Sequence, residues 1–124
     1  MQIDRVLMVD DDPAIRQIAQ ICLTRVGQWE VVLASSGPEA LRLGPPFNPD
    51  VILLDVMMPG MDGPTTLRLL QENAVVAKTP VIFMTAKVLS QEMESYSKMG
   101  AKGVISKPFD PMKLPSEIRQ ILEN

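Results

Sequence analysis

Apolar residues in this chain fall into short unbroken runs, separated by longer stretches in which they recur every three or four positions. The runs are Arg5-Val-Leu-Met-Val9, Glu30-Val-Val-Leu-Ala34, Val51-Ile-Leu-Leu54, Val81-Ile-Phe-Met-Thr85 and Lys102-Gly-Val-Ile105. Such runs, lacking polar alternation, predict strands buried on both faces, as in a parallel sheet. After the first run, Ile15, Ile18, Ala19, Cys22, Leu23 and Val26 predict one buried helical face, stopped by Gly27. Pro13 suits that helix's first turn, with Asp12 as its N-cap. Ser36-Gly-Pro-Glu39 reads as a capping box for a short helix from Pro38 to about Leu43, ended by Gly44-Pro-Pro46. Pro64 opens a third helix with Leu67, Leu69 and Leu70 as its apolar face. Ser90 caps a fourth, largely polar helix that runs to Met99 and closes at Gly100. Asp110-Pro111 opens the last, with Leu114, Ile118, Ile121 and Leu122 inward. Pro115 removes a backbone donor there, so a delayed start or a bend near Leu114 is expected.

Strand and helix therefore alternate along the whole chain. That order predicts an α/β fold, a parallel sheet covered by helices on both faces and joined by right-handed crossovers. The 124 residues fit a single domain, 1–124, with no repeat or low-complexity tract. No apolar run approaches the roughly 20 residues of a membrane span. Met1-Gln-Ile-Asp-Arg5 lacks the basic and apolar regions of a signal peptide, so a cytoplasmic location is expected. The single cysteine, Cys22, has no internal partner and reads as core.

Charge narrows the function classes. Twelve basic and fifteen acidic residues give a net charge of −3, a poor footprint for direct nucleic-acid binding. The chain has no histidine, which removes histidine-based triads, histidine metal sites and any phosphohistidine of its own. A metal here must be held by oxygen, which favours Mg²⁺ or Ca²⁺.

In a parallel sheet the residues after each strand gather on one edge, where open α/β folds bind ligands. Those residues are Asp10 and Asp11, Asp55, Thr85 and Lys107. Carboxylates brought so close repel one another, a conflict that a divalent cation and Lys107 relieve. Mg²⁺, commonly held by one or two carboxylates plus a phosphate, suits this set. Asp62 reads as a turn residue ahead of Gly63, and the methionines, including Met57, Met58 and Met61, as core and loop packing.

The combination Val9-Asp10-Asp11, Leu54-Asp55-Val-Met-Met-Pro59-Gly-Met-Asp-Gly63, Met84-Thr85-Ala86 and Lys107-Pro108-Phe109 resembles the receiver domain of two-component response regulators. The resemblance covers essentially the whole chain. It implies the flavodoxin-like (CheY-like) doubly wound sheet of order 2-1-3-4-5. It further implies that Asp55 is the phosphoacceptor, with Mg²⁺ held by Asp11 directly, Asp10 through water, Asp55, and the backbone carbonyl of Met57. Lys107 would pair with the phosphoryl group and Asp55, Thr85 would bind a phosphoryl oxygen in the active state, and the Lys107–Pro108 bond would be cis. Met57 and Lys87 would flank the path of hydrolytic water. The implied partners are a sensor histidine kinase or histidine phosphotransfer protein upstream and an effector domain or protein downstream, with no direct nucleic acid and no membrane. In that reading the chain is no enzyme beyond catalysing its own phosphorylation and dephosphorylation. Two features depart from the family's usual pattern: Val104 stands where an aromatic is common, and Pro115 lies in the last helix. The competing readings are a Mg²⁺-dependent aspartyl-phosphate phosphatase and a flavin or nucleotide carrier. The phosphatase usually has an acid two residues after its nucleophile, where this chain has Met57. The carrier would require a glycine-rich loop after the first strand.

Overall fold

The computed structural model describes residues 2–86 and 89–123. Its elements are β1 (Arg5–Val9), α1 (Pro13–Arg25), β2 (Glu30–Ala34), α2 (Gly37–Phe47), β3 (Val51–Asp55), α3 (Gly63–Gln71), β4 (Val81–Thr85), α4 (Ser90–Lys98), β5 (Gly103–Ser106) and α5 (Leu114–Glu123). All neighbouring strands pair in parallel, in the order β2-β1-β3-β4-β5. This is the doubly wound arrangement expected from the alternation, with the chain reversing direction across the sheet between β1 and β3.

Strand period divides the core into two layers. Val6, Met8, Val51, Leu53, Ile82 and Met84 pack on one face with Ala19, Cys22 and Leu23 of α1 and Leu114 and Ile118 of α5. Leu7, Val9, Ile52, Leu54, Val81 and Phe83 pack on the other with Ala40 of α2 and Leu67 and Leu70 of α3. Every residue of β3 and β4 is buried, as the unbroken apolar runs require. Burying a side chain such as Phe83 contributes about 1.5–3 kcal/mol. Burial also pushes the Cys22 thiol up to about 11, in keeping with an inert core residue.

Several boundaries differ from the sequence expectation. Helix α2 continues through Pro45 and Pro46 to Phe47, and Asn48 in the left-handed region caps it by donating to the Gly44 carbonyl. Proline keeps a helical φ. The two donors that Pro45 and Pro46 lack fall in the last turn, where the cost is smallest. Leu89, not Ser90, is the N-cap of α4, and no side chain caps that end. α5 begins at Leu114, so Pro115 sits in its first turn, where an N–H has no helical partner anyway. This is the delayed start anticipated for that segment.

On α1, Ala19, Cys22 and Leu23 are buried, whereas Ile18 and Val26 are exposed. The buried stripe is narrower than the periodicity suggested. Val26 is the C-cap residue beyond the last helical turn, and Ile18 lies on the stripe's flank. Ile18, Ile21, Val26 and Met112 instead border an apolar surface groove between α1 and the segment preceding α5.

Candidate functional site

Asp10 follows β1, Asp55 ends β3, Thr85 ends β4, and Lys107 follows β5, so the topology carries all four to the same edge. Side-chain phase then sorts them. Asp10, Asp55 and Lys107 are in phase with Met8, Leu53 and Ile105 of the α1/α5 layer, while Thr85 is in phase with Phe83 of the other layer.

Asp10 has no exposed surface. Its Oδ2 accepts from Lys107 Nζ at 2.6 Å, its Oδ1 accepts from the Asp12 N–H at 2.9 Å, and its own N–H donates to the Ala34 carbonyl at 3.1 Å. Lys107 also lies 3.0 Å from Asp55 Oδ1. Carboxylate oxygens of Asp10, Asp11 and Asp55 all lie within 4.8 Å of one another, with Asp11 the exposed member. Burial pushes Asp55 up from 3.8 to about 6. Lys107 pulls it back only in part, because the charge of Asp10 and a hydrogen bond involving Asp11 act against it. Burial pulls the Lys107 ammonium down, but its hydrogen bonds to Asp10 and Asp55 prevail and leave it raised. Three carboxylates sharing one ammonium leave an excess of negative charge and an all-oxygen donor set. That chemistry fits a hard divalent cation such as Mg²⁺.

The loop after β3 is held against the site by its main chain. The Val56 N–H donates to the Met84 carbonyl at 3.1 Å, and Gly63 donates back to Val56 at 2.9 Å. A Cβ on Gly63 would collide with the Asp55 carbonyl oxygen and come within 2.8 Å of Val56 Cα, so only glycine lets α3 start this close to the strand end. The Met57 N–H donates to Asp55 Oδ1 at 3.4 Å, which keeps the Met57 backbone beside the carboxylate while its side chain is 77% exposed. Asp62 is more than a turn residue. It is the N-cap of α3 and accepts from the Thr65 N–H at 2.9 Å. Thr85 is buried, and its carbonyl accepts from the Lys107 N–H at 2.9 Å, tying the ends of β4 and β5 together. The Lys107–Pro108 bond is cis.

Residues 6–119 match the response regulator receiver domain family. The chain belongs to that family. Among curated proteins, this receiver domain is 34% identical to response regulator Rre1 of Synechocystis sp., over 94% of the chain and 50% of that protein. It is 36% identical to the transcriptional regulatory protein TrcR of Mycobacterium tuberculosis, over 95% of the chain and 45% of that protein. The chain thus spans about half the length of the curated relatives it matches. Among solved structures, chemotaxis protein CheY4 of Vibrio cholerae superposes with a TM-score of 0.89 at 31% identity, covering 97% of this chain and 99% of that one.

Of the site residues expected from sequence, the structure brings Asp10, Asp11, Asp55 and Lys107 into one cluster and sets Thr85 and Met57 at the same edge of the sheet. Lys87 lies outside the described residues. One participant was not anticipated. Arg16, on the first turn of α1, donates from Nη1 to the Asp10 carbonyl at 2.7 Å. A sequence signal for it existed, because a cation near a helix N-terminus opposes the helix dipole unless acidic groups lie close by.

Proposed function

We infer that Asp55 of this receiver domain accepts a phosphoryl group from the phosphohistidine of a sensor kinase or histidine phosphotransfer protein. The observation that carries this reading is the Asp55–Lys107 contact of 3.0 Å, inside a cluster whose three carboxylates lie within 4.8 Å. Asp10, Asp11, Asp55 and the backbone carbonyl of Met57 would hold Mg²⁺. When bound, Mg²⁺ would neutralise the cluster and the charge on the transferring phosphoryl group.

The chain's own residues do the rest by placement. The free carboxylate oxygen of Asp55 attacks phosphorus. An O–P bond forms, the N–P bond to the donor imidazole breaks, and its electron pair returns to the ring nitrogen. Lys107 holds Asp55 in place beforehand and pairs with a phosphoryl oxygen afterwards. Thr85, at the end of β4, supplies a hydroxyl to another phosphoryl oxygen and so links modification to the layer containing Phe83. The same site later admits the water that hydrolyses the acyl phosphate. The phosphatase alternative is disfavoured by Met57, a solvent-exposed thioether with no acid–base capacity two residues after Asp55.

Phosphorylation then alters binding of a downstream effector domain or protein. Residues 1–124 act as one receiver domain, in the cytoplasm, with no direct contact to nucleic acid. No helix among the described residues is long and apolar enough to cross a membrane. The test is incubation with Mg²⁺ and a small acyl phosphate. One acid-stable, base-labile site should appear and should vanish in Asp55→Asn. Undiminished labelling of that variant would remove Asp55 from the role.

A further inference from the structure

We propose that Arg16 is a positioning residue for the cation ligands, acting through the peptide that joins Asp10 to Asp11. The proposal rests on the phosphoacceptor reading for its biological purpose, but its argument is geometric. Each polar atom of Asp10 is engaged: the N–H by Ala34, Oδ1 by the Asp12 N–H, Oδ2 by Lys107, and the carbonyl oxygen by Arg16 Nη1 at 2.7 Å. β2 ends at Ala34, so its ladder does not extend to the Asp10 carbonyl. An ionised side chain from α1 takes that place instead.

That carbonyl belongs to a planar peptide unit, so fixing its oxygen also fixes the direction in which the chain leaves toward Asp11. Asp11 is the exposed ligand of the cluster, and its side chain interacts with Asp55 inside the cluster itself. Outside the cluster, its approach to Asp10 and Asp55 within 4.8 Å is set by the turn at residues 10–12. Two of the bonds that hold that turn fix the Asp10–Asp11 peptide most directly. One is from the Asp12 N–H to Asp10 Oδ1, and the other is from Arg16 to the Asp10 carbonyl. The guanidinium's own charge, like that of Lys107, opposes a cation, so its effect is one of orientation and not of charge. Residues outside the direct ligand set that orient ligands in this way commonly alter metal affinity by about 10–100-fold.

The experiment compares wild type, Arg16→Ala, Arg16→Gln and Arg16→Lys by Mg²⁺ titration calorimetry, with thermal unfolding of each metal-free protein and the Asp12 amide NMR shift. Arg16→Ala should weaken Mg²⁺ binding by about tenfold and shift the Asp12 amide, Arg16→Gln should fall between, and Arg16→Lys should recover to within about threefold of wild type. Mg²⁺ binding by Arg16→Ala within about twofold of wild type would overturn the proposal. So would equal weakening in all three variants that simply follows their loss of thermal stability, which is the mark of a structural role alone. Acyl phosphate labelling of wild type separates the two readings. If wild type labels while Arg16→Ala binds Mg²⁺ normally, the positioning role falls and the phosphoacceptor reading stands. If wild type binds Mg²⁺ in an Arg16-dependent way but never labels, the reverse holds.

Discussion

Asp55 Oδ1 and Lys107 Nζ lie 3.0 Å apart, yet Asp55 keeps a pKa raised to about 6. A carboxylate next to an ammonium ordinarily falls below its reference value. Here burial outweighs the attraction, and the ammonium is shared with Asp10, which it meets more closely at 2.6 Å. The pocket is thus under-neutralised in its metal-free form. The same imbalance that suits it to a cation makes it a liability for folding without one.

That imbalance has a definite pH signature. Asp55 is raised from 3.8 to about 6, so the folded protein holds this proton more tightly than the unfolded chain does. Its contribution to stability is fully present below about pH 4 and is lost as pH rises through about 6. In metal-free protein at pH 7, Asp55→Asn should therefore raise the Tm, by something on the order of 5 °C. The gain should shrink below about pH 5, and Mg²⁺ should stabilise wild type more than the variant. Thermal unfolding across pH, with and without Mg²⁺, measures both. A destabilised Asp55→Asn at pH 7 would contradict the burial argument.

Asp62 predicts the opposite trend. Its hydrogen bonds with Thr65 hold its pKa below the ordinary value. Its contribution is present above the usual carboxylate range and is lost as pH falls through the lowered value. Asp62→Ala should cost about 1 kcal/mol at pH 7, and Asp62→Asn clearly less. Urea unfolding at pH 7 and near pH 3 should show the Ala deficit narrowing in acid.

On the phosphoacceptor reading, Met57 would bear on how long a phosphoryl group survives. Its main chain is tied to Asp55 Oδ1 and its large apolar side chain stands in solvent at the same loop. A thioether there offers no hydrogen bond that would orient a water for attack. Replacement by Asn supplies both donor and acceptor. Met57→Asn should shorten the acyl phosphate lifetime by roughly tenfold without changing the stability of the fold. Decay of the labelled protein after removal of donor is the measurement, and a longer lifetime would refute the argument that Met57 fails to orient the attacking water.

How much was legible beforehand depended on the kind of signal. β2 and β4 match their apolar runs residue for residue. β4 is buried throughout, whereas β2, an edge strand that begins at exposed Glu30, is bounded by the turn residues around it. The strand-end carboxylates and Lys107 were equally readable, since parallel topology alone brings them to one edge. Helix limits were less so. Pro45 and Pro46 look like breakers, but a helix end tolerates missing donors, and only packing reveals that α2 uses them. Ile18 and Val26 matched the helical period, yet the period does not report how far the sheet extends beneath α1. Arg16 escaped notice for a different reason. Its place in the first turn of α1 was a signal, but one that names no partner, because the contact runs to a carbonyl and carbonyls carry no residue-specific mark in a sequence.

The final prediction concerns how a change at Asp55 travels without an aromatic at position 104. Val104 is half-buried on β5, in register with Phe83 of β4, and offers only a small branched side chain. The aromatic ring on this side of the sheet comes from α4 instead. Tyr96 meets Phe83 edge to face, with centroids 4.9 Å apart and planes at 62°. Phe83 is two residues before Thr85 on the same strand and on the same face, so a shift at Thr85 reaches this ring pair directly. Helix α4 has no buried residue of its own. Besides the ring contact, its C-terminal end is held by Gln71 Nε2, which donates to the Met99 carbonyl at 2.8 Å. An element with so little burial opens locally at low cost and is easily biased. Binding a phosphoryl mimic at Asp55 should therefore change amide exchange across Ser90–Lys98 and leave the Val104 amide nearly unaltered. Tyr96→Ala should speed exchange in α4 before any mimic is added and reduce the further change on adding it. Exchange that responds only around Asp55 and Lys107, with α4 silent in wild type, would show that output is read from the phosphorylated edge itself.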